Sequence, residues 1–165
     1  MSPEKAKIVS DFLCTAIAGE SAATRKVILA LPDDKLDWQP HEKGMKAGDL
    51  AWHIVMTEQF FLSAVANGEF QSSGKVERPA TTAAMIEYYD ANIPPILEKI
   101  KGLTGEQTAK EITFHTWTNP GAVYLNLCNV HGVHHRGQLS TYLRSLGEKV
   151  PAIYGESADS KAAAA

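Results

Sequence analysis

Apolar residues recur at three- and four-residue steps in four segments of the chain, the spacing of one buried face of an amphipathic α-helix. The predicted helices cover Pro3 to about Ala30, about Asp49 to Ala66, Thr82 to Gly102 and about Gly121 to Leu146. No convincing strand lies between them. The pattern therefore predicts an all-α fold: a four-helix bundle with a long connecting loop between helices one and two and a short C-terminal tail.

Within this pattern, the first helix is expected to turn Ile8, Phe12, Ile17 and Val27 toward the core. The loop from Leu31 to Ala47 is rich in Pro, Gly and Asp. Trp38 is expected to hold this loop against the body of the bundle.

Two segments are harder to assign. Pro94-Pro95 lies inside the third helix, and proline there removes a backbone hydrogen bond and clashes with the preceding turn. We expect a kink near residues 91 to 93, or a break with Pro95 starting a new short helix. From Leu103 to Pro120 the pattern is less decided: residues 104–110 could form a short turn, and the alternating stretch from Glu111 to Trp117 is typical of a brief strand or an extended loop. We favour the extended loop because this stretch has no comparable partner segment.

The length and charge of the chain indicate how many domains it forms and which partners it can bind. The 165 residues suit one domain, expected over residues 1–155, with residues 156–165 as a flexible tail. The net charge of −3 arises from 16 basic and 19 acidic residues without a block of one sign, so we expect neither nucleic-acid nor membrane partners. The first residues lack the apolar core typical of a signal sequence, and no run of 18 apolar residues occurs, so we expect a cytoplasmic protein. Cys14 and Cys128 suit free thiols there.

The residues that could form a functional site are mainly histidines. His131 and His135 are four residues apart on the fourth helix, so their rings can converge on one point. His53 lies on the inward stripe of the second helix and can supply a third nitrogen. Three protein ligands with an open position are typical of a catalytic zinc site. The alternative is a cluster of hydrogen-bonded core histidines without metal.

Other residues of the cluster take lesser roles. His134 lies about 100° around the helix from His135, so only one of the two is expected to face inward beside His131. Gln138 and His134 are candidates to orient a ligand or a bound water, although a surface role for Gln138 is an alternative. Cys128 is an alternative soft ligand or buried filler. Gly132 occupies the position of the catalytic Glu of HExxH proteases, which argues against that chemistry.

The remaining conspicuous residues are expected to be structural: Trp52, Tyr124 and Tyr142 as core, and His41 and His115 as surface residues. Gly132 and Gly137 within the fourth helix would be explained by close approach of another helix or by room for a ligand.

The segments Leu50-Ala51-Trp52-His53-Ile54 and His131-xx-His134-His135-Arg136-Gly137-Gln138, with Pro151 and Tyr154-Gly155 downstream, resemble the DinB family of metal-binding four-helix bundles. The resemblance implies that His53, His131 and His135 bind a divalent metal such as zinc or nickel. It also implies a frequent homodimer, and relatives that include thiol-dependent transferases and isomerases.

Two functions follow as hypotheses. One is a metal-dependent hydrolase or thiol-dependent transferase that acts on a small molecule. No carboxylate is expected on the metal-facing stripes, so a general base is missing, which favours activation of a thiol. The other is a non-catalytic protein that binds a metal or a small molecule in a stress response.

Overall fold

The computed structural model describes residues 1–72, 74 and 76–161. Its elements are α1 (Pro3–Leu29), α2 (Ala47–Asn67), α3 (Thr82–Lys101), α4 (Gly105–Ala109), β1 (Glu111–Phe114), β2 (Trp117–Pro120), α5 (Gly121–Leu146) and α6 (Ala158–Lys161). The four long helices form a bundle in which α1 and α2 each pack against both α3 and α5. The predicted four-helix bundle is confirmed, with helix ends mostly within two residues of their expected positions.

The ends of the long helices carry the expected signals. The Ser2 side chain accepts a hydrogen bond from the backbone of Lys5 at the start of α1. Gly68 and Gly147 end α2 and α5 in the left-handed conformation, with φ of 71° and 81°.

The loop between α1 and α2 is held close to the bundle. Trp38 packs edge-on against Tyr142 of α5, with ring centroids 5.6 Å apart, as expected. Gly48 donates a backbone hydrogen bond to the Leu36 carbonyl over 2.8 Å. A Cβ on Gly48 would lie 2.9 Å from the Leu36 Cβ, so only glycine lets the chain approach this closely.

The third helix corrects one expectation, because α3 is continuous through Pro94 and Pro95 and no new helix begins at Pro95. Both prolines are exposed, and so are Asp90 and Ala91, whose carbonyls lose their intrahelical partners. Water can therefore satisfy these carbonyls, which makes the two prolines tolerable here. The kink stays a prediction.

The segment from Leu103 to Pro120 is not the extended loop that we expected. Thr104 starts α4 with a capping box that it forms with Gln107. The strands β1 and β2 then pair as an antiparallel hairpin across a two-residue connection. His115 occupies the first position of that connection with φ of 54°, the left-handed conformation that tight hairpins require. The partner of β1 was overlooked because it follows almost immediately.

The segment after α5 packs against the bundle through Val150 and Ile153. Within the segment expected to be flexible, however, Ala158–Lys161 forms the short helix α6. Asp159 accepts hydrogen bonds from Arg144 and from the backbone of Val150. Residues 162–165 lie outside the described part of the chain.

The outer face of α1 corrects another expectation. Ile8 and Phe12 are 63% and 71% exposed rather than part of the core, whereas Ile17 and Val27 are buried as expected. The three-to-four-residue spacing of α1 covers more than one face, so periodicity alone assigned these two residues to the wrong side. In the described part of the chain, no helix is both long and apolar enough to cross a membrane.

Candidate metal centre

Three histidines meet between α2 and α5. Nε2 of His131 lies 3.3 Å from Nε2 of His53 and 3.1 Å from Nε2 of His135. One nitrogen from each ring falls within 4.8 Å of the other two. The i, i+4 spacing on α5 aligns His131 with His135, and the packing of α2 against α5 brings His53 to them. We call these three residues the histidine triad.

The ring of His135 has a defined tautomer. The side-chain oxygen Oε1 of Gln138 lies 2.9 Å from Nδ1 of His135. A carboxamide oxygen can only accept, so Nδ1 carries the hydrogen and Nε2 of the neutral ring presents its lone pair to the triad. The Gln138 amide nitrogen donates in turn to the Tyr142 hydroxyl over 3.4 Å. Gln138 therefore contacts a triad histidine, as its position three residues beyond His135 suggested.

A residue of α2 lies beside His53. The hydroxyl oxygen of Thr57 lies 3.2 Å from Nδ1 of His53 and 3.5 Å from Nε2. Because this oxygen is nearly equidistant from the two ring nitrogens, Thr57 contacts the ring without fixing which nitrogen carries the hydrogen. Of the three rings, that of His135 has a hydrogen-bond partner on the side away from the triad.

Burial favours the neutral form of the rings. Desolvation, with smaller contributions from the adjacent rings of His135, His53 and His134, lowers the pKa of His131 from 6.5 to about 4. Desolvation also lowers the pKa of His53, with a smaller contribution from His135. Neutral imidazole is the form that binds metals, so His131 and His53 are ready to act as ligands at neutral pH.

The donor set fits a transition metal ion. Nε2 of His131 either donates one hydrogen or offers one lone pair, so without a cation it can make a well-directed hydrogen bond in at most one of its two short nitrogen contacts. A cation at the shared point would attract all the lone pairs. Nitrogens bound to tetrahedral zinc at about 2.0 Å lie roughly 3.3 Å apart, close to the two distances observed here. The triad is therefore able to hold a divalent metal.

Aromatic rings close one side of the triad. The Phe61 ring centroid lies 6.3 Å from that of His131, and Phe61 stacks on Tyr124 at 6.4 Å. Phe70 packs edge-on against Tyr124, whose hydroxyl donates to the Trp117 carbonyl over 2.6 Å. These contacts keep Tyr124 in the core, as predicted, and they keep water away from this side of His131.

The other residues of the histidine-rich stretch lie outside the triad. His134 is exposed, and its ring contacts that of His135 at a centroid distance of 4.8 Å. Cys128 is buried, and its thiol donates to the Glu58 carbonyl rather than approaching the histidines. A Cβ on Gly132 or Gly137 would meet no neighbouring atom within 4 Å, so close helix packing does not explain either glycine.

The remaining expectations about single residues agree with the structure. Trp52 and Tyr142 are buried, and His41 and His115 are exposed. Cys14 and Cys128 are free thiols.

Sequence reasoning missed three polar residues of the interior. Thr57 was given no role, although it lies four residues beyond His53 and contacts its ring. Glu58 is 8% exposed and accepts a hydrogen bond from Tyr89 over 2.8 Å; burial raises its pKa to about 7. Arg136 is 1% exposed and donates to Thr24 over 3.0 Å. No sequence signal separates buried charges such as these from exposed ones.

Comparison with known proteins shows the family of this chain. The model of the DinB family matches residues 8–163, nearly the whole chain. The protein belongs to the DinB family. This DinB protein is 29% identical over 139 residues to the uncharacterized protein YrdA of Bacillus subtilis (strain 168), covering 82% of each chain. It is 27% identical to YjoA of the same organism over 147 residues, 86% of this chain and 90% of YjoA.

Solved structures share the fold. The crystal structure of the DinB-like protein YjoA from Bacillus subtilis superposes with a TM-score of 0.73 at 21% identity, covering 87% of this chain and 99% of YjoA. A DinB-like protein from Bacillus cereus ATCC 10987 superposes with the same TM-score at 23% identity, covering 86% of this chain and 95% of the other. Because these structures are less than 25% identical to this DinB protein, their similarity supports only its bundle fold.

Proposed function

We propose that this DinB protein binds one divalent transition metal, zinc or nickel, through Nε2 of His53, His131 and His135, and uses it in a thiol-dependent transfer to a small molecule. The observation that carries the proposal is the convergence of the three Nε2 atoms. The contact of His135 with Gln138 on the side away from the triad supports it, because such contacts hold ligating imidazoles in the required tautomer.

Imidazole ligands narrow the choice of metal. Neutral nitrogen donors suit zinc, nickel, copper and iron, whereas calcium and magnesium prefer oxygen. The resemblance to the DinB family favours zinc or nickel among them. Three protein ligands also leave a position for a small molecule, the pattern of catalytic zinc sites.

The nature of the reaction follows from what surrounds the triad. A divalent cation bound there would lower the pKa of a thiol or water that takes a further coordination position. Among the described residues, no carboxylate joins the triad. Glu58 of α2 instead accepts the hydrogen bond of Tyr89 in the core. A hydrolase needs a base to take the proton of water, so the missing base favours a thiol, which ionises far more readily.

In such a transfer, residues around the triad would orient the histidine rings and shield them from water. Gln138 orients the ring of His135 and Thr57 contacts the ring of His53. Phe61 and Tyr124 exclude water beside His131. In the transfer, the thiol sulfur bonds to an electrophilic carbon of the second substrate, whose leaving group departs with the bonding electrons. The thiol proton passes to solvent.

Metal content tests the first half of the proposal. Protein purified without a metal-affinity tag is expected to contain about one equivalent of metal per chain by mass spectrometry, since the triad forms one site. His53→Ala and His135→Ala are expected to lose it. His134→Ala is the matched control, because His134 adjoins the triad on α5 but is exposed, and it should retain the metal. Full retention by His53→Ala and His135→Ala would contradict the proposed ligand set.

An activity assay tests the proposed thiol-dependent transfer. Metal-loaded protein is incubated with a panel of low-molecular-weight thiols and electrophiles, and consumption of the thiol is followed. We expect turnover that disappears in His53→Ala. Sustained inactivity with metal bound would instead support a non-catalytic metal-binding or small-molecule-binding protein.

We also propose that the functional unit is a homodimer formed through the outer surfaces of α1 and α5. These helices are neighbours, since Arg136 of α5 donates to Thr24 of α1. Both expose apolar side chains: Ile8 and Phe12 on α1 and Val123, Val130 and Val133 on α5. Exposed apolar groups on adjacent helices are typical of protein interfaces, and a second copy would present the same groups to match them.

A further inference from the structure

A second concave site lies away from the histidine triad. It is a half-enclosed cavity of about 210 Å³ between α2, α3 and the segment that follows α2. Its apolar wall comes from Met56, Phe60 and Ala64 of α2, Val76 of the following segment and Tyr88 of α3. A cavity of about 150 Å³ is large enough to bind benzene, so this one can accommodate an aromatic ring with a small substituent.

Hydrogen bonds hold the walls of this cavity in place. The Tyr88 hydroxyl donates to Oε1 of Gln59 over 2.9 Å, which links α3 to α2. The Trp52 indole nitrogen donates to the Val76 carbonyl over 3.2 Å, and the Trp52 ring packs edge-on against Tyr88 at 5.0 Å. The segment that carries Val76 is therefore bound to α2, and α2 in turn contacts α3 through Trp52 and Tyr88.

Two polar groups of the lining have hydrogen-bonding capacity to spare. Gln59 and Ser63 both line the cavity. The Gln59 oxygen is used by Tyr88, but no described residue accepts a hydrogen bond from the Gln59 amide nitrogen or pairs with the Ser63 hydroxyl. These groups can donate to an oxygen of a bound molecule. Among the described lining residues, the only charge is that of Glu69, which repels an anion.

From this lining we infer that the cavity between α2 and α3 is a binding site for a small aromatic molecule without negative charge that carries a carbonyl or amide group. The ring would contact Met56, Phe60 and Tyr88, and its oxygen would accept hydrogen bonds from Gln59 and Ser63. Mostly apolar walls with a few polar groups that fix orientation are the usual composition of small-molecule sites.

This site is separate from the triad, although both use α2. None of the three histidines lines the cavity. Met56 and Phe60 lie three and seven residues beyond His53, which corresponds to about 5 and 11 Å along the helix axis. The inference therefore stands whether or not the triad binds a metal.

The experiment titrates the full-length protein with benzamide and with benzoate, its anionic analogue of the same size, by calorimetry or ligand-observed NMR. We expect saturable binding of benzamide in the range of about 0.1 to 10 mM for a ligand of this size. Benzoate is expected to bind at least about tenfold more weakly, because Glu69 repels its charge. Equal binding of benzoate would overturn the assigned ligand class.

Variants of Ser63 locate the binding. Ser63→Leu fills the cavity and is expected to weaken benzamide at least about tenfold, while Ser63→Ala, which removes one hydrogen bond, weakens it about two- to tenfold. Ser145→Leu on the exposed end of α5 is the matched control and should bind as the unmodified protein does. Thermal unfolding of each variant verifies that the bundle is intact.

Two results would refute the site. One is the absence of saturable benzamide binding to the unmodified protein, and the other is unchanged binding by a folded Ser63→Leu variant. Treatment with a chelator is expected to leave benzamide affinity unchanged. Loss of binding after chelation would place the ligand at the triad and overturn the assignment of a separate site.

Discussion

Gln138 holds His135 in a single tautomer: its side-chain oxygen lies 2.9 Å from Nδ1 of His135, and an oxygen of this kind can only accept. This contact directs the Nε2 lone pair of His135 toward His131, 3.1 Å away. The same amide donates to Tyr142, whose ring packs against Trp38 of the connecting loop. The loop between α1 and α2 is thus linked by successive contacts to the triad.

The first prediction concerns this contact. Gln138→Leu removes the acceptor while keeping a side chain of similar size, and we expect metal affinity to fall about 10- to 100-fold. Gln138→Glu retains an acceptor oxygen and should keep most of the affinity. Competition with a chelator of known affinity measures both values, and Thr141→Val on the exposed face of α5 serves as the control. An unchanged affinity in Gln138→Leu would show that the contact does not support the metal.

The sequence predicts those residues of the metal centre whose relative positions are set by a single helix. His131 and His135 were found because helical periodicity fixes their relative direction, and Gln138 because it lies on the same face. His53 could be placed on an inward face by the same reasoning. Only the packing of α2 against α5 shows that it reaches the other two.

The features that the sequence did not predict depend on contacts between distant parts of the chain or on exposure to solvent. The hairpin was missed because His115, rather than glycine or asparagine, adopts the left-handed conformation at its turn. The continuity of α3 depends on solvent reaching the carbonyls before Pro94 and Pro95. The burial of Arg136 depends on acceptors more than 100 residues away in α1.

The second prediction concerns the pH dependence of stability. Burial raises the pKa of Glu58 from 4.5 to about 7 in the folded protein, although its hydrogen bond with Tyr89 and the charge of Arg136 partly oppose this. Between these two values the unfolded chain is ionised while the folded chain keeps its proton. Stability from this group is therefore full below about pH 4.5 and is lost as pH rises toward 7, by roughly 3 kcal/mol.

Comparison with Glu58→Gln isolates this contribution, because glutamine can still accept the Tyr89 hydrogen bond but does not titrate. Urea unfolding from pH 4.5 to 8 should show the unmodified protein losing stability relative to the variant. Histidines titrate equally in both proteins and cancel in the difference. A difference that is flat across this range would mean that Glu58 is ionised in the folded state.

The third prediction concerns Arg136, which is buried and paired with Glu20. Its guanidinium also donates to Thr24 and to the Tyr154 hydroxyl, so it joins α5, α1 and the C-terminal tail. Arg136→Leu removes the ion pair with Glu20 and the hydrogen bond to buried Thr24, while the Tyr154 hydroxyl still donates to Glu20. We expect a loss of about 2 to 3 kcal/mol in unfolding free energy.

Urea unfolding measures this loss, and Arg144→Leu is the control because the ion pair of Arg144 with Asp159 is exposed. That variant should lose much less than Arg136→Leu, because solvent screens the pair. Equal losses in the two arginine variants would mean that the burial of Arg136 adds nothing to stability.

The last prediction concerns the proposed dimer. Phe12 is 71% exposed on α1, so it makes few contacts within its own chain and its replacement should leave the fold intact. Phe12→Asp would place a charge in the proposed interface, where burial without a partner costs several kcal/mol. Light scattering coupled to gel filtration is expected to show a dimer for the unmodified protein and a monomer for the variant. Ala83→Asp, on the exposed start of α3, should remain a dimer. If the unmodified protein is a monomer, or if Phe12→Asp stays dimeric, the outer surface of α1 does not form the interface.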